Sequence, residues 1–139
     1  MTTTTSAADD SVGAAKVRKV YEIHQDRIAA AVDAFRKNGC ATSTSADAQC
    51  NVAAIGSGVN VKAMALVIRQ VREQTPITNS DTDAHADRSL EMLDAAGAAA
   101  DSFGECVDGG VSDCSTELAS IVPAVEAVNA DVTAWLTTE

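Results

Sequence analysis

Aromatic side chains are scarce in this sequence, and their scarcity bears on its fold class. They make up 3% of the 139 residues, with one tryptophan, one tyrosine and two phenylalanines. A sheet protein needs β-branched and aromatic residues in alternation along its strands, and nothing here alternates for long. Alanine is abundant instead. Because alanine is the best helix former and the smallest apolar side chain, the composition favours closely packed α-helices.

Positive charge is absent from the second half of the chain. All ten lysines and arginines lie at or before Arg88, whereas ten acids follow it, from Glu91 to Glu139. The formal net charge is −10, which excludes a nucleic-acid-binding protein and argues against binding to anionic membrane surfaces. The acidic half keeps the chain soluble, and it is also a candidate to steer a cationic ligand or partner.

Long apolar runs and an export signal are also missing. No run approaches the ~18 apolar residues that span a membrane, so we expect no transmembrane segment. The chain begins MTTTTS, without a basic region or an apolar core of a signal peptide. We therefore weigh a cytosolic protein with free thiols against the mature form of an exported protein, and the cysteines favour the second.

The four cysteines fall into two local pairs, Cys40 with Cys50 and Cys106 with Cys114. Neither pair has the short gap that is usual for zinc ligands, and no C-x-x-C motif is present. Each pair brackets a short polar or glycine-containing segment. The spacing predicts two disulfides, which persist in an oxidising compartment. We therefore predict an extracytoplasmic location, either secreted or associated with the cell envelope.

The first ten residues differ from the rest of the chain. They are polar, low in complexity and without apolar periodicity, which predicts a disordered tail over 1–10 and a single domain over 11–139. A tail of this kind suits a tether between an anchor and a folded domain. We therefore expect an exported protein, which is either secreted or held by a lipid anchor at its N-terminus.

Four amphipathic helices follow from the three- and four-residue spacing of apolar side chains. The first runs from about Ser11 to Lys37 and ends at Asn38-Gly39; the second covers residues 46–55 and 60–74, with a break or kink at Gly56-Ser57-Gly58. The third runs from 81–83 to Phe103. The fourth runs from Ser112 or Asp113 to Leu136, with a kink at Pro123 or a start near Val122. Short connections predict an all-α, up-down-up-down four-helix bundle with both disulfides at one end.

Two sets of residues are candidates for binding a cofactor or a metal. His24 lies on the apolar stripe of the first helix one turn after Tyr21, and this pair could ligate haem iron or a transition metal. The second set is the alternating segment Asp81, Asp83, His85 and Asp87. It resembles the first half of an EF-hand loop, but Ala86 stands where glycine is needed and Met92 where glutamate is needed. A satisfied core histidine is the alternative for His24, and helix capping is the alternative for the acidic segment.

No serine, cysteine or histidine stands in a recognised catalytic motif, and among twenty acids the sequence does not select a carboxylate pair. We therefore expect a non-enzymatic interaction or ligand-binding module without a cofactor, whose partner is a protein or a small molecule. A haem or metal carrier and an enzyme of unrecognised class are the alternatives. An apolar cavity near Tyr21 and His24 would indicate a small-molecule binder, and an exposed apolar or acidic face would indicate a protein-binding module.

Overall fold

Four α-helices account for almost all of the described chain in a computed structural model. The structure describes residues 2–40, 48–75, 77, 80–110 and 113–137, with side chains from Val12 onward. The helices are α1 (Thr2–Lys37), α2 (Ala48–Gln74), α3 (Ser80–Asp108) and α4 (Ser115–Thr137). No strand occurs within these residues, so the all-α prediction is confirmed. The predicted second-helix start at Ala46 lies outside the described residues.

Helix α1 begins nine residues before the predicted start at Ser11. The backbone of residues 2–10 therefore continues the helix, although the polar side chains there offer no apolar stripe to pack. That residues 1–10 lie outside the packed domain and act as a tether stays a prediction.

Neighbouring helices run antiparallel, which confirms the predicted bundle. Two contacts at different heights in the bundle join each neighbouring pair of helices. From one contact to the other, the residue number rises in one helix and falls in its neighbour. The pairs are Lys16–Thr75 and Cys40–Cys50 for α1 with α2, Arg69–Asp94 and Arg72–Asp87 for α2 with α3, Ser89–Asp131 and Cys106–Cys114 for α3 with α4, and Arg18–Leu136 and Arg36–Glu126 for α1 with α4.

The core consists of the apolar stripes that the sequence predicts. All the apolar-stripe positions of α1 are buried, and so are most of those of the other three helices. The α1 set is Val17, Val20, Tyr21, His24, Ile28, Val32 and Phe35. The largest fully buried side chains include Tyr21, Ile28, Phe35, Met64, Ile68, Leu93, Phe103, Leu118 and Ile121. Since burying such a side chain contributes roughly 1.5–3 kcal/mol, these stripes supply the main driving force for assembly.

Both predicted disulfides form, and both lie at the same end of the bundle. Cys40–Cys50 joins α1 to α2 and Cys106–Cys114 joins α3 to α4. The second residue of each of the two connections is a glycine in the left-handed region, Gly39 at φ 60° and Gly110 at φ 73°. At Gly39 the amides of Gly39 and Cys40 donate to the carbonyls of Arg36 and Phe35, which closes α1 with a Schellman cap.

Helix α2 is continuous through Gly56-Ser57-Gly58, so a break there is wrong, whereas the alternative of a kink stays a prediction. A Cβ atom added at Gly58 would lie 2.6 Å from Cβ of Ala100, whereas one added at Gly56 would meet nothing within 4 Å. Gly58 therefore allows α2 and α3 to approach closely. Tertiary packing overrides the weak helix propensity of the two glycines.

Pro123 lies inside α4, which runs unbroken from Ser115. Its side chain is exposed on the outer face, so the carbonyl that its missing N–H leaves without a partner can be reached by water. The helix starts later than the predicted Ser112 or Asp113. Asp113 instead accepts a hydrogen bond from the Ser115 amide at 3.0 Å, as a helix cap does, and the hydrogen bonds from Ser115 lower the pKa of the Asp113 carboxyl.

Candidate functional site

A cluster of polar and aromatic side chains lies between α1, α3 and α4, in the half of the bundle away from the disulfides. It consists of Tyr21 on α1, His85 and Ser89 on α3, and Asp131 and Trp135 on α4. Spacings of four residues place the α3 pair on one helical face, and the same holds for the α4 pair. The antiparallel course of α3 and α4 then brings the two pairs opposite each other.

Hydrogen bonds in this cluster run from α1 to α4. The Tyr21 hydroxyl donates to Ser89 Oγ at 2.5 Å, and the Ser89 hydroxyl donates to Asp131 Oδ2 at 2.6 Å. Burial raises the pKa of Tyr21 to about 12; the Ser89 hydrogen bond opposes this, and the Asp131 charge adds to it. Tyr21 is therefore a neutral donor at any physiological pH.

His85 is held on several sides and is only 5% exposed. Its ring stacks on Trp135 with centroids 4.1 Å apart, and the Tyr21 ring lies 5.6 Å away. Nδ1 lies 3.2 Å from the Arg88 guanidinium, which can only donate, so Nδ1 accepts and the proton sits on Nε2. Nε2 is buried without a hydrogen bond, 3.5 Å from Asp131 Oδ2. Burial lowers the pKa of His85 and the Arg88 charge adds to this, whereas Asp131 opposes it.

This cluster has the residue types of a serine hydrolase triad in a different arrangement. Ser89 donates directly to Asp131, and neither it nor Tyr21 hydrogen-bonds His85. A nucleophilic serine requires a histidine that takes its proton, and here the carboxylate occupies that position. The geometry supports a role for the cluster in fixing how α1, α3 and α4 pack.

Each member of the predicted haem or metal pair has a different partner within the bundle. His24 is buried, and its Nδ1 lies 2.9 Å from the Val20 carbonyl of its own helix. Tyr21 turns to Ser89 and His85 instead. Each side chain thus has a protein partner of its own, while the prediction of a ligand pair stays a prediction.

The predicted segment from residue 81 to 87 divides between two faces of α3. Asp83 and Asp87 both accept from the Arg72 guanidinium, at 2.8 and 2.7 Å, and raise the pKa of that arginine. His85 lies on the buried face. Asp81 is exposed in the first turn, where a negative charge interacts favourably with the helix dipole. The structure therefore brings Asp83 and Asp87 together on an arginine and leaves His85 and Asp81 apart from them.

One group in the described chain has metal-ligand geometry. The sulfur atoms of Cys106 and Cys114 and a carboxylate oxygen of Glu117 lie within 4.8 Å of one another. The two sulfurs are bonded to each other, and a disulfide is a poor metal ligand because metals bind the thiolate. The closeness of these three atoms therefore results from the disulfide bond and from Glu117 beside it.

The outer face of α2 carries a row of exposed aliphatic side chains, which we call the α2 outer stripe: Val52, Ile55, Val59 and Leu66. Val52 is 70% exposed and Val59 is 64% exposed, and the other two are more than half exposed. Their spacing of three, four and seven residues places them along one side of the helix over ~21 Å. The opposite side of α2 packs into the core through Val61, Met64, Ala65 and Ile68. Helix α2 is thus apolar on both its inner and its outer face.

Ion pairs neutralise the flank of the α2 outer stripe that faces α3. Lys62 pairs with Asp101, Arg69 pairs with Asp94, and Arg72 pairs with both Asp83 and Asp87. The half of the chain that contains α1 and α2, residues 1–74, has nine cations and seven acids, a net charge of +2. Residues 75–139 have one cation and thirteen acids, a net charge of −12. The charge of the molecule therefore resides with α3 and α4.

Two surface grooves flank α2. A groove of ≈ 320 Å³ lies between α2 and α3 around Ala65, Leu93 and Gly97, and one of ≈ 250 Å³ lies between α1 and α2 around Ala31, Ala53 and Gly56. Both are at or below the smallest volumes of pockets that bind small molecules. Neither is lined by Tyr21, His24 or His85.

By length and composition, α2 is also apolar enough to cross a membrane, although no run of 18 apolar residues occurs in it. Of its most apolar window, 44% is buried inside the bundle. A core helix of a water-soluble protein satisfies the same criterion, so the feature is weak evidence for membrane insertion.

Comparison of the chain with protein-family models, with curated proteins and with solved structures finds no match. Its function is therefore argued from the geometry of its own residues.

The sequence interpretation missed Asp131 and Trp135 as partners of His85 and Ser89 as the link between Tyr21 and Asp131, and it missed the α2 outer stripe. The stripe had a readable signal, since Val52, Ile55, Val59 and Leu66 have helical spacing of their own beside the inward set. For the polar cluster the signal was weaker. Asp131 stands one turn before Trp135 in α4, but the sequence does not say which residue of α3 it meets.

Proposed function

We propose that this protein is a non-enzymatic interaction module that works outside the cytoplasm and contacts the surface of another polypeptide through the α2 outer stripe. One observation carries this proposal. Four large aliphatic side chains stand in a row on a helix face that no other part of the described chain covers. Leaving them in water has a cost that packing against a partner would remove, and contiguous exposed apolar patches mark such contacts.

The interior supports a protein partner over a small-molecule ligand. An apolar cavity near Tyr21 and His24 would have favoured the ligand, and both side chains instead make hydrogen bonds within the bundle. The residue types that could act on a substrate are also engaged with one another, because Ser89 donates to Asp131 and His85 accepts from Arg88.

The two disulfides support the extracytoplasmic part of the proposal. All four cysteines are paired, each with a partner close in sequence, and such bonds persist where the surroundings are oxidising. Either a secreted protein or one held at the cell envelope by a lipid anchor satisfies this condition. Mass spectrometry of the N-terminal peptide from the natural producer distinguishes these two forms, because an anchored protein carries the mass of its acyl chains.

Site-specific photo-crosslinking in the natural producer tests the contact surface. A photoreactive amino acid at Val59 should give a covalent adduct with another polypeptide, and the same residue at Ala127 should not. Ala127 is a matched control because it is also exposed on a helix, but it lies on the outer face of α4. Adducts from both positions alike, or none from Val59, would overturn the proposal.

A further inference from the structure

We propose that the polypeptide covering the α2 outer stripe is a second copy of this chain, packed α2 against α2 in antiparallel orientation about a two-fold axis at Val59. This inference rests on the proposed function and names the partner for the same surface. It follows from the order of side chains along the stripe, from the charge beside it and from its width.

The order of side chains is self-complementary. In an antiparallel pair centred on Val59, each residue faces the one equally far on the other side of the centre. Val59 then faces itself, Val52 faces Leu66, and Ile55 faces Ala63. Every large side chain of the stripe thus meets an apolar residue of the copy, as a two-fold interface between identical surfaces requires.

The one charged residue in this stretch also has space in such a pair. Lys62 lies between Val59 and Leu66, and its counterpart across the axis is Gly56. Gly56 has open space around it, so the aliphatic stem of Lys62 can lie across it while the ammonium group keeps its ion pair with Asp101.

Charge determines which face of this protein can meet its own copy. Two molecules of net charge −10 repel each other, and that charge resides with α3 and α4, so contacts through those helices would place like charges together. The side of α2 lies in the half with net charge +2, and the nearest acids of α3 are already ion-paired with Lys62, Arg69 and Arg72. A contact through α2 therefore places the acidic halves on the outside of the dimer.

The width of the stripe sets the strength of the contact. One helix face packed on another covers less than the ~800 Å² per partner of a standard stable interface. We therefore expect a reversible dimer that dissociates on dilution, and one that disappears when a single central side chain becomes charged.

Sedimentation velocity of the purified, oxidised protein tests the inference, over a dilution series reaching about 1 mM, the weak end of specific affinities. The mass should rise with concentration from 14.2 kDa towards twice that value. Val59→Lys should abolish this rise, because it places two ammonium groups against each other at the axis. Ala127→Lys, with the same change in charge on the outer face of α4, should leave the rise unchanged. Both positions are exposed, so both variants should keep the helical circular dichroism of the parent.

Cysteine crosslinking tests the register. All native cysteines are paired, so a new cysteine supplies the one free thiol. Under mild oxidation Val59→Cys should give a covalent dimer with itself, whereas Val52→Cys should crosslink efficiently only when mixed with Leu66→Cys. A monomer at every concentration, or a dimer that Val59→Lys leaves intact, would overturn the inference. If adducts from Val59 in the producer then contain a different polypeptide, the proposed function stands with another partner.

Discussion

Replacing Gly58 by alanine adds one methyl group at the point where α2 meets α3. The added carbon would lie 2.6 Å from Cβ of Ala100, whereas carbon atoms in contact are normally separated by ~3.5–4.0 Å. Cβ of Ala100 is bonded directly to the backbone of α3 and cannot rotate away. The two helices must therefore separate by about 1 Å, and overpacking of this kind typically costs about 1–3 kcal/mol.

Gly56→Ala is the matched control, two residues earlier in the same helix. Both changes gain about 1 kcal/mol of helix propensity, and the added methyl group at Gly56 meets nothing within 4 Å. The difference in unfolding free energy between the two variants therefore measures the overlap alone. We expect Gly56→Ala to be more stable than the parent and Gly58→Ala to lie about 1–3 kcal/mol below Gly56→Ala.

Urea unfolding followed by far-ultraviolet circular dichroism, with the disulfides intact and at low protein concentration, supplies the measurement. A compensating exchange strengthens it, since Ala100→Gly should restore most of the stability that Gly58→Ala removes. Equal stability of the two single variants, or no recovery in the double variant, would refute the role of Gly58 as the point of close approach.

Three further predictions concern the polar cluster and the crosslinks. Tyr21 is the only tyrosine, so its absorbance titration should show a native midpoint near 12 and one near 10.0 in urea; a native midpoint near 10.0 would contradict its burial. The folded state lowers the pKa of His85 from its usual 6.5. The contribution of His85 to the free energy of unfolding is therefore complete above pH 6.5 and is lost as the pH falls towards the lower pKa of the folded state. His85→Gln should remove that part of the pH dependence of urea unfolding. Fluorescence of Trp135, the only tryptophan, should report the protonation of His85 directly. An unchanged pH dependence in His85→Gln would contradict the contribution of His85. The double variant Cys106→Ser, Cys114→Ser should lose about 2–3 kcal/mol of unfolding free energy, because the disulfide no longer closes a short loop in the unfolded chain. No loss would show that this loop is constrained without the disulfide.

The inward-facing residues could be predicted from the sequence because each helix repeats its apolar positions with its own period. Val17, Tyr21, Ile28 and Phe35 recur at steps of four or seven residues, and all are buried. The disulfides were equally accessible, since each pair closes a short local segment. These features depend on neighbours along the chain, and local spacing is what a single sequence records.

Features that depend on contacts between residues far apart in the sequence could not be predicted in the same way. Gly56-Ser57-Gly58 indicated a break because glycine has low helix propensity, and the sequence does not show that Ala100 packs against Gly58. The meeting of His85 with Asp131 likewise requires the register between α3 and α4. The α2 outer stripe was visible in the spacing, but an apolar residue on an expected helix is assigned to the core unless a second apolar face is considered.

The placement of both disulfides at one end gives the bundle a gradient of mobility along its length. All four cysteines are used there, so no covalent bond crosses between helices near Tyr21 and Trp135, and that end is held by packing, hydrogen bonds and the connection from α2 to α3. Local opening should therefore begin at the uncrosslinked end, where backbone amides would exchange with deuterium sooner than those near Phe35 and Phe103. Each disulfide then keeps the two helices of its own hairpin together while their opposite ends separate.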